Sequence, residues 1–147
     1  MPVIPETGLD SIIGAYDPYD CVWRCLAYAA SSGSYYDRDA AYYMAETYYC
    51  VNGLSFDPNN YTFNGTGNQL NNFISEYIHS GDYCSTQMLI FDPSKTSTWS
   101  GNSGTLHAII ITGFSNGTYS YLDPQSGLNG TISQKEYDDS KKFNIYI

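Results

Sequence analysis

A thiol, an imidazole and a carboxylate are the parts of a nucleophilic acyl-transfer site, and this chain offers all three. The stretch Asp20-Cys21-Val22-Trp23-Arg24-Cys25-Leu26-Ala27 begins with an acid, sets two cysteines four apart and continues small and apolar to Ala30. Asp20 is a favourable N-cap, so Cys21 falls in the first turn of a helix, where unpaired backbone N–H groups and the positive end of the helix dipole favour an anion. That position predicts a thiol pKa lowered towards reactivity, beside N–H groups able to hold an oxyanion. Cys25 lies a full turn further in, where the backbone donors are engaged and a thiol acts as a small hydrophobe. Cys21 is the expected nucleophile.

Such a nucleophile needs a base that later returns the proton to the leaving group, and histidine has the pKa for it. His79, beside Ser80-Gly81, reads as an exposed residue at a helix C-terminus. His107 instead heads the apolar run Ala108-Ile109-Ile110-Ile111. It is either a rim histidine satisfied by a backbone carbonyl or a functional base. Downstream, Asp123-Pro124 closes a strand, and Asp-Pro by itself is a common turn pair. Register separates the two readings. A two-residue loop at Asn116-Gly117 sets Asp123 opposite Ile110, on the face away from His107. A three-residue loop, Ser115-Asn116-Gly117 with a bulge at Gly117, sets Asp123 opposite Ile109 and diagonal to His107, at roughly 7 Å between backbones. A dyad therefore requires the bulged hairpin, with Asp123 orienting the imidazole as the third member of a triad does.

The elements that must position these groups can be read along the chain. Residues 1–19 carry Pro2, Pro5, Gly8, Gly14 and Pro18 and read as an extended arm with an apolar anchor at Ile12-Ile13. Helices are expected over 21–31, stopped by Gly33; over 36–50, with Ala40, Tyr43, Met44 and Thr47 on one stripe; and over 68–79, ended by Gly81. Residues 51–66 are rich in Asn-Gly and Asp-Pro pairs and read as loop. Strands are expected at 83–91, 106–114, 118–123 and 143–147. Helices followed by strands argue for an α+β fold with the helices on one side of an antiparallel sheet. The polar stretch 92–105 reads as a mobile loop that can line a substrate cleft.

Composition narrows the partners. The 147 residues suit one domain, with 6 Lys+Arg against 15 Asp+Glu and a net charge of -9. That charge repels nucleic acid and anionic membrane, and no stretch reaches the roughly 18 to 20 apolar residues of a membrane span. The start of the chain lacks the basic and apolar regions of a signal peptide. Cys21, Cys25, Cys50 and Cys84 show no paired Cys-x-x-Cys spacing, which argues against a zinc site and permits zero, one or two disulfides. No cofactor or metal is expected. Asn60, Asn64, Asn116 and Asn129 open Asn-x-Thr triplets, three of them also Asn-Gly turns.

The order of parts resembles the papain-like cysteine peptidases, in which a nucleophilic Cys opens the central helix and His and Asn or Asp lie on the following sheet. Within that clan it is similar to the peptidase domains of bacteriocin exporters and to papain-fold bacterial toxin and effector domains. Asp20, Cys21, Cys25, Leu26, Ala27, His107, Gly113, Asp123 and Pro124 match the exporter pattern, and Asp123-Pro124-Gln125 matches the effector strand end. Val22 and Trp23 depart from it. The Gln that the exporter family places about six residues before the nucleophile is replaced by Ala15-Tyr16-Asp17. Loss of one oxyanion donor costs about 100- to 1000-fold in rate. Tyr16, Asp17 and Gln125 are the candidate substitutes, with Tyr19, Gln69 and the Cys21 backbone N–H as further ones.

The resemblance implies a papain-like α+β fold whose central nucleophile helix packs on a C-terminal antiparallel sheet. It implies a cysteine peptidase acting through Cys21, His107 and Asp123 on a protein or peptide substrate. Two alternatives stay open: an effector that deamidates glutamine side chains, and a catalytically inactive binding module. A monomer, secreted from a bacterium and restrained by a cognate inhibitor or immunity protein, fits the same pattern.

Overall fold

The computed structural model describes residue 12 and residues 20–78, 86–101 and 105–147. Helix α1 (Cys21–Ala30) is followed by α2 (Arg38–Val51) and α3 (Gly67–Phe73), which widens into a π-turn over Ile74–Ile78. Strand β1 (Gln87–Phe91) leads through a 3-10 turn (Pro93–Lys95) to β2 (His107–Ser115), β3 (Thr118–Asp123) and β4 (Leu128–Ser133). Helix α4 (Gln134–Ser140) and β5 (Lys141–Tyr146) complete the chain. All strand pairs are antiparallel, in the order β4-β3-β2-β1-β5. The fold is α+β, with N-terminal helices and a C-terminal five-stranded sheet.

Helix α1 ends as expected at Gly33, whose φ of +82° lets its N–H reach back to the Tyr28 carbonyl at 2.8 Å. Trp23 accounts for the bulky residue after the cysteine. Its ring packs at 5.3 Å from Tyr48 and 5.9 Å from Phe63, and its Nε1 donates to the Tyr61 carbonyl at 2.7 Å. Helix α2 is capped by the Asp37 side chain, which accepts from the Ala40 N–H. Its buried stripe is rotated from the expected one: Ala40, Ala41, Ala45, Tyr48 and Tyr49 face inward, while Tyr43 is 64% exposed. Small Ala41 and Ala45 let α1 approach closely. The Tyr48 and Tyr49 hydroxyls are buried at no loss, because they donate to the Asn64 and Thr62 carbonyls.

Two apolar layers sandwich the sheet, which corrects the expectation of helices on one side only. Met88, Ile90, Ala108, Ile110 and Ile145 join the core under α1, α2 and α3. Leu89, Phe91, Ile109, Tyr121 and Ile132 form a second core with Tyr137 of α4 and Trp99. The alternation along β1 and β2 is that of strands buried on both faces. Neither β4 nor α4 was expected, although Ser133-x-x-Glu136 is a capping-box pattern and forms one here. The stretch 92–101 is no mobile polar loop: Thr96 and Trp99 are buried, and the Glu136 carboxylate accepts from the Ser97 backbone N–H at 2.8 Å. The apolar anchor is present at Ile12, which is buried and bridges to Leu106. Ile13, Gly81 and residues 83–85 of the expected first strand lie outside the described residues.

Candidate active site

The β2–β3 hairpin turns on two residues, Asn116 (φ +54°) and Gly117 (φ +75°), a left-handed pair that matches strand twist. Of the two hairpins open from the sequence it is the two-residue one, and the three-residue loop that a dyad was expected to require is absent. The bulge lies in the strand instead: Gly113 pairs with Ser120 and Ile111 with Tyr121, so Thr112 is the extra residue on β2. The slip brings Asp123 onto the face that carries His107. The His107 Nε2 and Asp123 Oδ2 stand 2.9 Å apart, both side chains fully buried. The other carboxylate oxygen, Oδ1, accepts from the Gln125 N–H at 3.0 Å.

Aromatic rings surround the imidazole on this face. Trp99 lies 5.5 Å and Phe91 5.6 Å from it, centroid to centroid, and Trp99 also packs on Tyr121 at 5.3 Å. Water is thereby kept from the His107–Asp123 bond, which strengthens it. Trp99 was not singled out in the sequence; a large apolar ring inside a polar loop was the available signal.

Cys21 opens α1 and packs against the start of the same strand, in one core with Ala108. The backbone N–H groups of Ala108 and Val22 face its sulfur and favour the anion, as expected of a helix start. They do not prevail. Burial pushes the Cys21 thiol well above the usual range, and the charges of Asp123 and Asp20 add to the rise. The expected lowering is thus reversed, because a thiolate 0% exposed loses more hydration than two amides return. Cys25 is also buried and raised, first by desolvation and then by the neighbouring Cys21. Cys21, Cys25 and Cys50 are free thiols.

Asp20 occupies the N-cap position without a side-chain cap bond. Its buried carboxylate is drawn elsewhere: Oδ2 pairs with the Arg24 Nε at 2.9 Å and Oδ1 accepts from the Gln125 Nε2 at 3.2 Å. The Arg24 Nη1 also donates to the Pro124 and Gln125 carbonyls, at 3.4 and 3.3 Å. Outside this network an open groove of about 430 Å³ is lined by Arg24, Tyr35, Tyr36, Asp37, Gln125 and Ser126. It reaches the network, while Cys21, His107 and Asp123 stay closed to solvent.

Of the candidate oxyanion donors, Gln125 is thus brought next to the residue preceding Cys21. Gln69 is committed to a capping box at the start of α3 with Thr66. Tyr16, Asp17, Tyr19, His79 and Cys84 lie outside the described residues. Arg24 escaped notice, although its i,i+4 spacing from Asp20 is a pairing signal. Comparison with known protein families, with characterised proteins and with solved structures returned no match.

Proposed function

We propose that this chain is a thiol-dependent hydrolase of the papain-like kind, a cysteine peptidase with Cys21 as nucleophile, His107 as base and Asp123 as its orienting acid. The observation that carries this reading is the buried 2.9 Å His107–Asp123 pair, at the very strand end whose next amide, Ala108, faces the Cys21 sulfur. His107 is the first residue of β2, so its ring stands at the end of the sheet.

Because Nε2 is held by Asp123, Nδ1 is the atom that exchanges a proton with the nucleophile. The resting thiol is neutral, so attack is coupled to proton transfer and does not start from a preformed thiolate. Sγ bonds to the substrate carbonyl carbon as its proton passes to His107. The C–N bond then breaks, the leaving nitrogen takes that proton, and a thioester remains. Water, deprotonated by His107, hydrolyses it and restores the thiol. Backbone N–H groups of the first turn of α1 supply oxyanion stabilisation, and Gln125 is the side chain nearest that role. A glutamine side-chain amide would pass through the same steps and release ammonia.

One observation favours the second reading, a catalytically inactive binding module: Cys21, His107 and Asp123 are all 0% exposed, so a substrate enters only if their cover moves. Incubating the purified chain with a peptide library, while following both cleavage and ammonia release, separates the readings. Peptide cleavage abolished by Cys21→Ala supports the peptidase. Ammonia without cleavage reassigns it as a deamidase. Neither product, with no labelling of Cys21 by an electrophilic peptide, leaves the inert module.

A further inference from the structure

We infer that Arg24 is a positioning residue for Asp123, acting through the backbone of the turn that follows it, with Asp20 and Gln125 completing a clamp between the nucleophile helix and the end of β3. The inference deepens the proposed triad and rests on it for its functional meaning.

The connections are continuous. Arg24 grips Asp20 through Nε and the Pro124 and Gln125 carbonyls through Nη1. Gln125 returns the link twice, its side-chain amide donating to Asp20 Oδ1 and its backbone N–H to Asp123 Oδ1. Each oxygen of both carboxylates therefore has a partner: Asp20 holds Arg24 and Gln125, and Asp123 holds Gln125 and His107. The turn is further closed by the Gly127 N–H on the Asp123 carbonyl at 2.7 Å and stiffened by Pro124.

The placement gives this network a purpose beyond holding α1 down. Asp20 immediately precedes Cys21, and Arg24 lies one turn later on the same helix. The segment that aims the thiol is thus tied to the segment that aims the carboxylate, which fixes their separation. An ion pair serving stability alone would need Asp20 but neither carbonyl. The planar guanidinium, with donors pointing in several fixed directions, suits this bridging; a lysine ammonium would satisfy Asp20 without spanning to the turn.

The test reads the His107 ring N–H on Asp123 directly, as a far-downfield, slowly exchanging proton resonance that Asp123→Asn removes. Arg24→Met breaks the clamp but leaves the buried Asp20 carboxylate without its cation. The double variant Asp20→Asn/Arg24→Met removes both charges together, and Arg24→Lys keeps the ion pair while withdrawing the fork. The expected result is a folded double variant and a folded Arg24→Lys whose melting temperature stays near the parent's, both with the resonance broadened or lost. If peptide hydrolysis is found, kcat falls about 100-fold with KM little changed, as a misplacement near 1 Å predicts. A sharp, unchanged resonance in a folded variant overturns the clamp, as does its absence from the parent protein. The resonance is read whether or not the chain hydrolyses anything, so failure of the clamp and failure of the triad reading are told apart.

Discussion

Ile110 pairs with Leu122, and this one register relationship carries Asp123 to the His107 side of the sheet. The two-residue turn taken alone would have set Ile110 against Asp123 and left the carboxylate on the opposite face. Thr112, an unpaired residue in β2, takes up one step, so the same register continued places Asp123 beside Ile109.

Deleting Thr112 is expected to preserve the pair. Ile111 and Gly113 then become neighbours opposite Tyr121 and Ser120, which are neighbours already, and Asp123 keeps its place. The variant should fold and retain the His107 ring N–H resonance. Loss of that resonance in a folded deletion variant would show that the bulge itself, and not the register, orients the groups.

Trp99 fills the second core and shields the His107–Asp123 bond. Trp99→Ala should cost about 3–5 kcal/mol in urea unfolding, as a large buried ring removed from a packed core does. Trp99→Phe keeps a ring against the imidazole and should cost clearly less. Equal losses from the two would mean that the indole's specific packing, and not ring volume, holds this layer.

The raised Cys21 and Cys25 thiols set a direction for pH. The fold favours their neutral forms, whereas unfolded thiols ionise above pH about 8.5. Stability is therefore full below that pH and falls as pH rises beyond it. Thermal melts from pH 7 to 10 should show the decline, with part of the slope missing in Cys21→Ser. At neutral pH iodoacetamide should label exposed Cys50 well before Cys21 or Cys25.

Glu136 titrates in the opposite sense. The backbone N–H groups of Ser97 and then Ser133 hold its carboxyl below the usual value. Its contribution is present above pH about 4.3 and is lost as pH falls below that. Acid, or Glu136→Gln at neutral pH, should therefore free the segment that leads to Trp99. Hydrogen exchange at Ser97 should accelerate while the β2–β3 amides stay protected. Uniform acceleration across the sheet would show that Glu136 supports the whole fold instead.

Much of the architecture was legible because it rests on short-range physics. The helix-forming Leu26, Ala27, Ala29 and Ala30 after Cys21, the Gly33 stop, the Asn116-Gly117 turn and the apolar run after His107 each specify their element within a few residues. The β4–α4 segment was missed although Ser133 and Glu136 carry a capping signature, because its alternation is weak: only Ile132 of β4 is buried. The α2 stripe was misaligned for a different reason. With apolar or aromatic residues on most sides of that helix, the buried face follows from which tyrosine hydroxyls can reach a carbonyl, and those carbonyls belong to residues 62–64.

By itself the sequence placed Cys21 at a helix start, His107 at a strand start and Asp123 at a strand end, since residue type, caps and turns are local properties. The tertiary structure alone decided that His107 and Asp123 pair. One unpaired residue in β2 reverses the face of Asp123. The depth of burial turns Cys21 from an expected thiolate into a neutral thiol. Asp20, locally suited to cap its helix, is claimed by Arg24 and by Gln125 from 105 residues away. Register, burial and long-range pairing depend on segments far apart in the chain, so no window of sequence contains them.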